Sequence, residues 1–198
     1  MAPRLRRAAG GRPWTFVHQV HGAGVVVVEE PSGPRPDEGD ALVTSSARAC
    51  VAVLGADCAL VGLASVEGVV CAAHAGWRGL VAGVLARAAD EMRALGSTEI
   101  VAVLGPCIHA ECYEFGEAEL AVVERQLGGD VRAETSAGRP ALDLPAGVRH
   151  ALREAGVELV GELGGCTACD GRWFSHRARR ETSRHALAIW REPPSPLR

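Results

Sequence analysis

The chain contains no lysine. All 21 basic residues among its 198 are arginine, and asparagine is absent as well. Without an ammonium side chain there is no Schiff-base lysine, no pyridoxal-phosphate anchor and no P-loop. Aromatic residues are scarce at 4%, so alanine and valine must supply much of the core packing. No run of 18 apolar residues occurs, which leaves no candidate membrane span. The basic start MAPRLRRAAGGRPW lacks the apolar stretch of a secretory signal, so the expected location is the cytoplasm. A formal charge of -3 argues against a general polyanion binder; neither nucleic acid nor membrane is an expected partner. Seven cysteines, an odd number in a chain without such a signal, argue against a disulfide framework.

What is present reads as one domain. Residues 1–13 form an Arg-rich start expected to be mobile, 14–191 the domain, and 192–198 a tail. Short apolar runs predict strands over 14–20, 25–30, 40–44, 49–56, 61–64, 68–73, 99–104, 157–163 and 185–190, and the segment PSGPRPDEGD reads as a loop. From Trp77 the apolar period lengthens to that of a helix, with Leu80, Val81, Val84, Leu85, Ala88, Met92 and Leu95 on one face and Gly96 as its stop. Further helices are expected over 117–127 and from Asp143, an N-cap followed by an early proline. The sum is an α/β fold: a single layered domain with a mixed β-sheet flanked by helices.

The chemistry concentrates in Val51–Leu80. Cys58 and His74 each follow an almost wholly apolar run, where side chains at strand ends commonly line a site, and His21 precedes a third such run. Two imidazoles and one thiolate suit a catalytic zinc site, which keeps a position open, whereas structural sites close with four protein ligands. A metal so held keeps net positive charge and can activate water. Each of the three also has an ordinary use as a core or turn residue, and no compact motif links them, so spacing leaves both readings open. Cys58 and His74, with Asp57 as the nearest acid or base, are the candidate catalytic residues. Gln19 and Arg78 are the candidate substrate contacts: Gln19 lies beside His21, and Arg78 opens a helix where dipole and charge suit a phosphate or carboxylate, or else a solvent ion pair. Cys166 and Cys169 invite a redox or zinc-knuckle reading but read better as a turn beneath Trp173 and Phe174; Cys107, His109 and Cys112 could bind metal but read better as a structural loop; the 172–184 arginines could touch nucleic acid but read better as a solvated face.

The motifs His-Gln-Val-His-Gly, Gly-Ala-Asp-Cys, Ala-His-Ala-Gly-Trp-Arg-Gly, Gly-Pro-Cys-Ile and Tyr-Glu-Phe-Gly, in that order, resemble the laccase-domain family, also called multicopper polyphenol oxidase, purine nucleoside phosphorylase or peptidoglycan editing factor. Cys-Thr-Ala-Cys, Phe-Ser-His-Arg and Ala-Leu-Ala-Ile-Trp resemble its ending, so the likeness spans residues 14–191. The chain departs from the family at Leu60, where Pro is usual, and at His176, where Tyr is usual. Motif by motif, the family's zinc ligands fall on His21, Cys58 and His74. The resemblance implies a single α/β domain, one Zn2+, and cleavage of purine nucleosides by phosphate, with methylthioadenosine cleavage and adenosine deamination alongside. It also implies rivals, a hydrolase editing peptidoglycan precursors or a copper phenol oxidase; a metal-binding or scaffold domain without activity is a further reading. Copper ranks below zinc because one His2Cys site lacks the several coppers that oxygen reduction needs. Small-molecule partners and a monomer or weak homo-oligomer are expected.

Overall fold

The computed structural model describes residues 11–192. Residues 1–10 of the expected N-terminal segment, and the tail from 193, lie outside the described residues. Arg12 donates from Nε to the Ala47 carbonyl at 2.8 Å.

The strands are β1 (Trp14–His18), β2 (Val25–Val27), β3 (Pro34–Glu38), β4 (Ala41–Thr44), β5 (Cys50–Gly55), β6 (Ala59–Ser65), β7 (Val70–Ala75), β8 (Ile100–Leu104), β9 (Arg132–Glu134), β10 (Pro140–Leu142), β11 (Glu158–Glu162) and β12 (His185–Ile189). The helices are α1 (Trp77–Val81), α2 (Val84–Ala94), α3 (Glu117–Leu127), α4 (Leu144–Glu154) and α5 (His176–Arg179). A six-stranded mixed sheet runs β11-β8-β6-β7-β4-β2, a four-stranded one β12-β5-β1-β3, and β9 and β10 form a hairpin.

Side-chain alternation explains the layering. Successive strand residues point to opposite faces. In the large sheet Ala41, Val43, Val61, Leu63, Cys71 and Ala73 pack against Leu85, Ala88, Met92, Leu120 and Val148 of the helices. Leu42, Leu60 and Ala72 point the other way, onto Val51 and Val53 of β5 and Leu187 and Ile189 of β12. The order is therefore helices, large sheet, small sheet. Gly62 suits that junction: a Cβ there would already touch Leu187 and Ile189. His74 has the parity of Ala72, so its ring faces the small sheet, at the end of the inter-sheet seam.

Several expectations shift. The segment read as a loop contains β3, which pairs with β1 in parallel. Its two prolines are tolerated because β3 is the sheet's outer strand, where a missing N–H faces no neighbour. The long helix breaks in two at Gly83, whose φ of 83° is left-handed, although its inward face continues across the break. His74 lies inside β7, opposite Leu60, rather than beyond the strand's end. The hairpin β9–β10 pairs Arg132–Glu134 with Pro140–Leu142, where no strands are expected, and α5 falls within the arginine cluster. Asp143 caps α4 as expected, accepting from the Ala146 N–H at 2.9 Å.

Candidate metal centre

His21, Cys58 and His74 converge: one ligand atom from each lies within 4.8 Å of the others. Three elements deliver them. His21 occupies the turn after β1 at a φ of 58°, a left-handed conformation unusual for a non-glycine residue. Cys58 follows the tight connection in which β5 leaves the small sheet and β6 enters the large one. His74 is held by the pairing of β7 with β6.

Asp40 organises the trio. Its carboxylate is fully buried; it accepts from the backbone N–H groups of Val20, His21 and Gly22 at 3.3, 3.0 and 2.7 Å, and pairs with His74 Nδ1 at 2.8 Å. One side chain thus sets both the His21 turn and the His74 ring, leaving His74 Nε2 as the donor toward Cys58. The His21 and His74 rings meet edge to face at 4.8 Å, and Cys58 Sγ lies 3.8 Å from His21 Nε2. That is near the edge of about 3.6 Å expected for sulfur and nitrogen on a tetrahedral zinc.

The electrostatics agree. Burial pushes the Cys58 thiol up, but the two imidazoles draw it down to about 7. Burial likewise disfavours a charged His74, yet Asp40 and Cys58 outweigh it and raise that ring to about 9. Burial opposes ionisation of Asp40, and His74 with the Gly22 N–H overcomes it, leaving the carboxyl below its ordinary value. Gly76 provides the room: a Cβ there would sit 3.0 Å from Cys58 Sγ and 3.1 Å from His21 Cδ2. The donor set and the space around it suit a metal ion.

The trio opens onto a cavity of about 580 Å³ whose wall includes Gln19, Leu54, Asp57, Tyr113, His176, Arg177 and Arg184. Gln19 is there, but its amide is engaged on both sides by the Leu54 backbone, at 2.8 Å each. Asp57 adopts a φ of 104°, a strain of about 1–3 kcal/mol for a non-glycine residue. Its Oδ1 accepts from Thr167 and Ser175 at 2.8 and 2.7 Å, and its Oδ2 from the Arg177 N–H at 2.7 Å. Its carboxylate therefore fastens the C-terminal segment to the cavity. Arg78 stacks over Trp77 at 4.4 Å and lines an adjoining groove, which shares Arg177 with the main cavity, rather than the cavity itself. Burial and nearby Cys58 push the Tyr113 phenol up, so it remains a donor, and Arg177 packs over its ring at 4.8 Å.

Sequence reasoning missed Asp40, Tyr113, His176, Arg177 and Arg184. Asp40 left one trace, a carboxylate directly before the wholly buried Ala41–Thr44, where an uncompensated charge is costly.

A family model described as "Multi-copper polyphenol oxidoreductase laccase" matches residues 2–192. A purine nucleoside phosphorylase of Streptomyces coelicolor is 44% identical over 182 residues, covering 88% of this chain and 74% of the relative. Another, of Mycobacterium tuberculosis, is 39% identical over 194 residues, covering 96% and 77%. Among solved structures, Neisseria meningitidis protein NMB0706 superposes with a TM-score of 0.82 at 29% identity, over 96% of this chain and 79% of that one. YlmD of Geobacillus stearothermophilus gives 0.78 at 28%, over 95% and 78%.

Proposed function

Because the chain belongs to the multi-copper polyphenol oxidoreductase laccase family, and relatives within it carry the name purine nucleoside phosphorylase, we propose that it is a zinc-dependent enzyme cleaving purine nucleosides with phosphate. The observation that carries the reading is one cavity lined by His21, Cys58 and His74 together with Arg177 and Arg184. His21, Cys58 and His74 would hold the zinc, which would supply Lewis acidity there.

The remaining chemistry is assigned to the chain's own groups. In phosphorolysis a phosphate oxygen bonds to the sugar carbon as the carbon–nitrogen bond breaks; the electron pair leaves with the purine, which takes up a proton. Arg177 and Arg184 meet the phosphate charge, and Asp57 positions Arg177 by gripping its backbone N–H. Arg78, across the shared wall, adds positive potential. Tyr113, kept protonated, donates to the nucleoside, and Gln19 holds the rim by its pairing with Leu54. Methylthioadenosine cleavage breaks the same bond. Adenosine deamination in this pocket brings water in and releases ammonia.

Copper phenol oxidation, suggested by the family's description, requires several copper ions to move electrons to oxygen. His21, Cys58 and His74 offer one site, and zinc suits its ligands well. Zinc-loaded protein incubated with inosine and phosphate should release hypoxanthine and ribose-1-phosphate, and adenosine alone should give inosine and ammonia. Neither product, with zinc bound, refutes the reading. Cleavage of a cell-wall peptide amide instead transfers the site to the hydrolase assignment.

A further inference from the structure

Three of the six cysteines outside this centre gather in one place. Cys112 ends a short 3-10 turn (Ala110–Cys112), and Cys166 and Cys169 bracket a tight turn more than fifty residues later in sequence, yet one ligand atom each from Glu111, Cys112, Cys166 and Cys169 lies within 4.8 Å of all the others. We propose that these four residues form a second metal site, closed by protein ligands and suited to a single zinc ion.

The geometry supports this in three ways. First, a tetrahedral zinc with bonds of about 2.3 Å to sulfur has ligand-to-ligand edges of about 3.8 Å. Here Cys112 Sγ and Cys169 Sγ are 3.3 Å apart, and Cys169 Sγ is 3.8 Å from a Glu111 carboxylate oxygen. Second, the Cys166–Cys169 turn has the C-x-x-C spacing of zinc-binding turns: the N–H groups of Cys169 and Asp170 both donate to the Cys166 carbonyl, at 3.2 and 3.0 Å. The His109 backbone N–H donates to Cys166 Sγ at 3.4 Å, the kind of outer bond that orients a metal-bound thiolate. Third, three sulfurs and a carboxylate packed this closely repel one another once ionised, and a divalent cation removes that repulsion. The sequence divides these ligands between two motifs, each with an ordinary structural use, and their meeting is visible only after folding.

The position gives the site a purpose. Cys112 directly precedes Tyr113 on the cavity wall. Thr167, between the two late cysteines, donates to Asp57, and the segment runs on to His176 and Arg177. An ion here clamps the Tyr113 loop to the C-terminal segment and braces the cavity wall. This role does not depend on the chemistry at Cys58.

The test is metal stoichiometry by elemental analysis on the full chain purified under reducing conditions. The unsubstituted protein should hold two zinc equivalents, Cys58→Ser one, and Cys169→Ser one. Should Cys169→Ser fail to fold, cobalt(II) loading of Cys58→Ser gives the answer: with Cys58 gone, strong sulfur-to-cobalt charge-transfer absorption must persist at the intensity of three thiolates. One equivalent in the unsubstituted chain that disappears in Cys58→Ser overturns the proposal. So does cobalt-loaded Cys58→Ser without that absorption, or a chain two hydrogens lighter by mass with Cys112 joined to Cys169 and no second metal. Nucleoside turnover is measured separately, so an inactive enzyme holding two equivalents refutes the proposed function and leaves this site standing.

Discussion

Replacing Asp40 by alanine removes one carboxylate that serves four donors, and its cost can be worked out from their surroundings. Val20 and His21 are exposed, so water can satisfy much of what their N–H groups lose. His74 is only 3% exposed; water cannot reach it easily, and stripping the partner from a buried ion pair costs about 3–5 kcal/mol. Asp40→Ala should therefore destabilise the metal-free protein by about that amount, chiefly through His74. The penalty should also depend on pH. His74 is raised from 6.5 to about 9, so its contribution to stability is fully present below pH 6.5 and is lost as pH rises through about 9. That rise corresponds to about 3 kcal/mol, shared between Asp40 and Cys58. Asp40 is lowered from 3.8; its contribution is present above that value and lost as pH falls through its lower folded pKa. The full difference between the two proteins thus lies between pH 3.8 and 6.5, shrinks as pH rises from 6.5, and has lost its His74 part above about 9. Urea unfolding with chelator and reductant, below pH 6.5 and again above 9, measures it. An Asp40→Ala protein as stable as its parent, or a deficit identical at both pH values, refutes the assigned pairing.

Zinc uptake at the His21 centre must displace protons held by Cys58, at about 7, and His74, at about 9. Its affinity should climb by at least two decades per pH unit below 7, by about one between 7 and 9, and level off above. Chelator competition across pH checks this, and a flat profile removes these two residues as ligands. Gly76→Ala should weaken zinc binding at that centre by about tenfold or more, because the new methyl group lies against Cys58 Sγ and His21. The backbone there, at a φ of -67°, accepts alanine without strain, so an unchanged affinity rejects the crowding argument. Arg177→Ala should raise the KM for phosphate by about 10–100-fold, the value of one charge-assisted hydrogen bond, with zinc content intact. An equal rise in the nucleoside KM alone assigns Arg177 to the wrong substrate.

The sequence by itself determined the layered α/β character, most strand and helix positions, and the candidacy of His21, Cys58 and His74. Buried strands write their burial into local runs such as Val70–Ala75, and amphipathic helices write theirs into a repeating face, so neither needs a distant partner to be read. The motifs carrying the three candidate ligands were legible as a family resemblance, while spacing alone left their convergence open. Only the tertiary structure decided the rest. β3 exists because an outer strand accepts prolines, which local composition does not reveal. Asp40 became the organiser of the centre when β4 came to lie between β2 and β7, and Arg177 reached the cavity because Asp57 holds its backbone across 120 residues of chain. Cys112 met Cys166 and Cys169 by the same long-range route. Periodicity records which face of an element is buried, whereas the distance between side chains on separate elements follows from strand order and from the turns that redirect the chain.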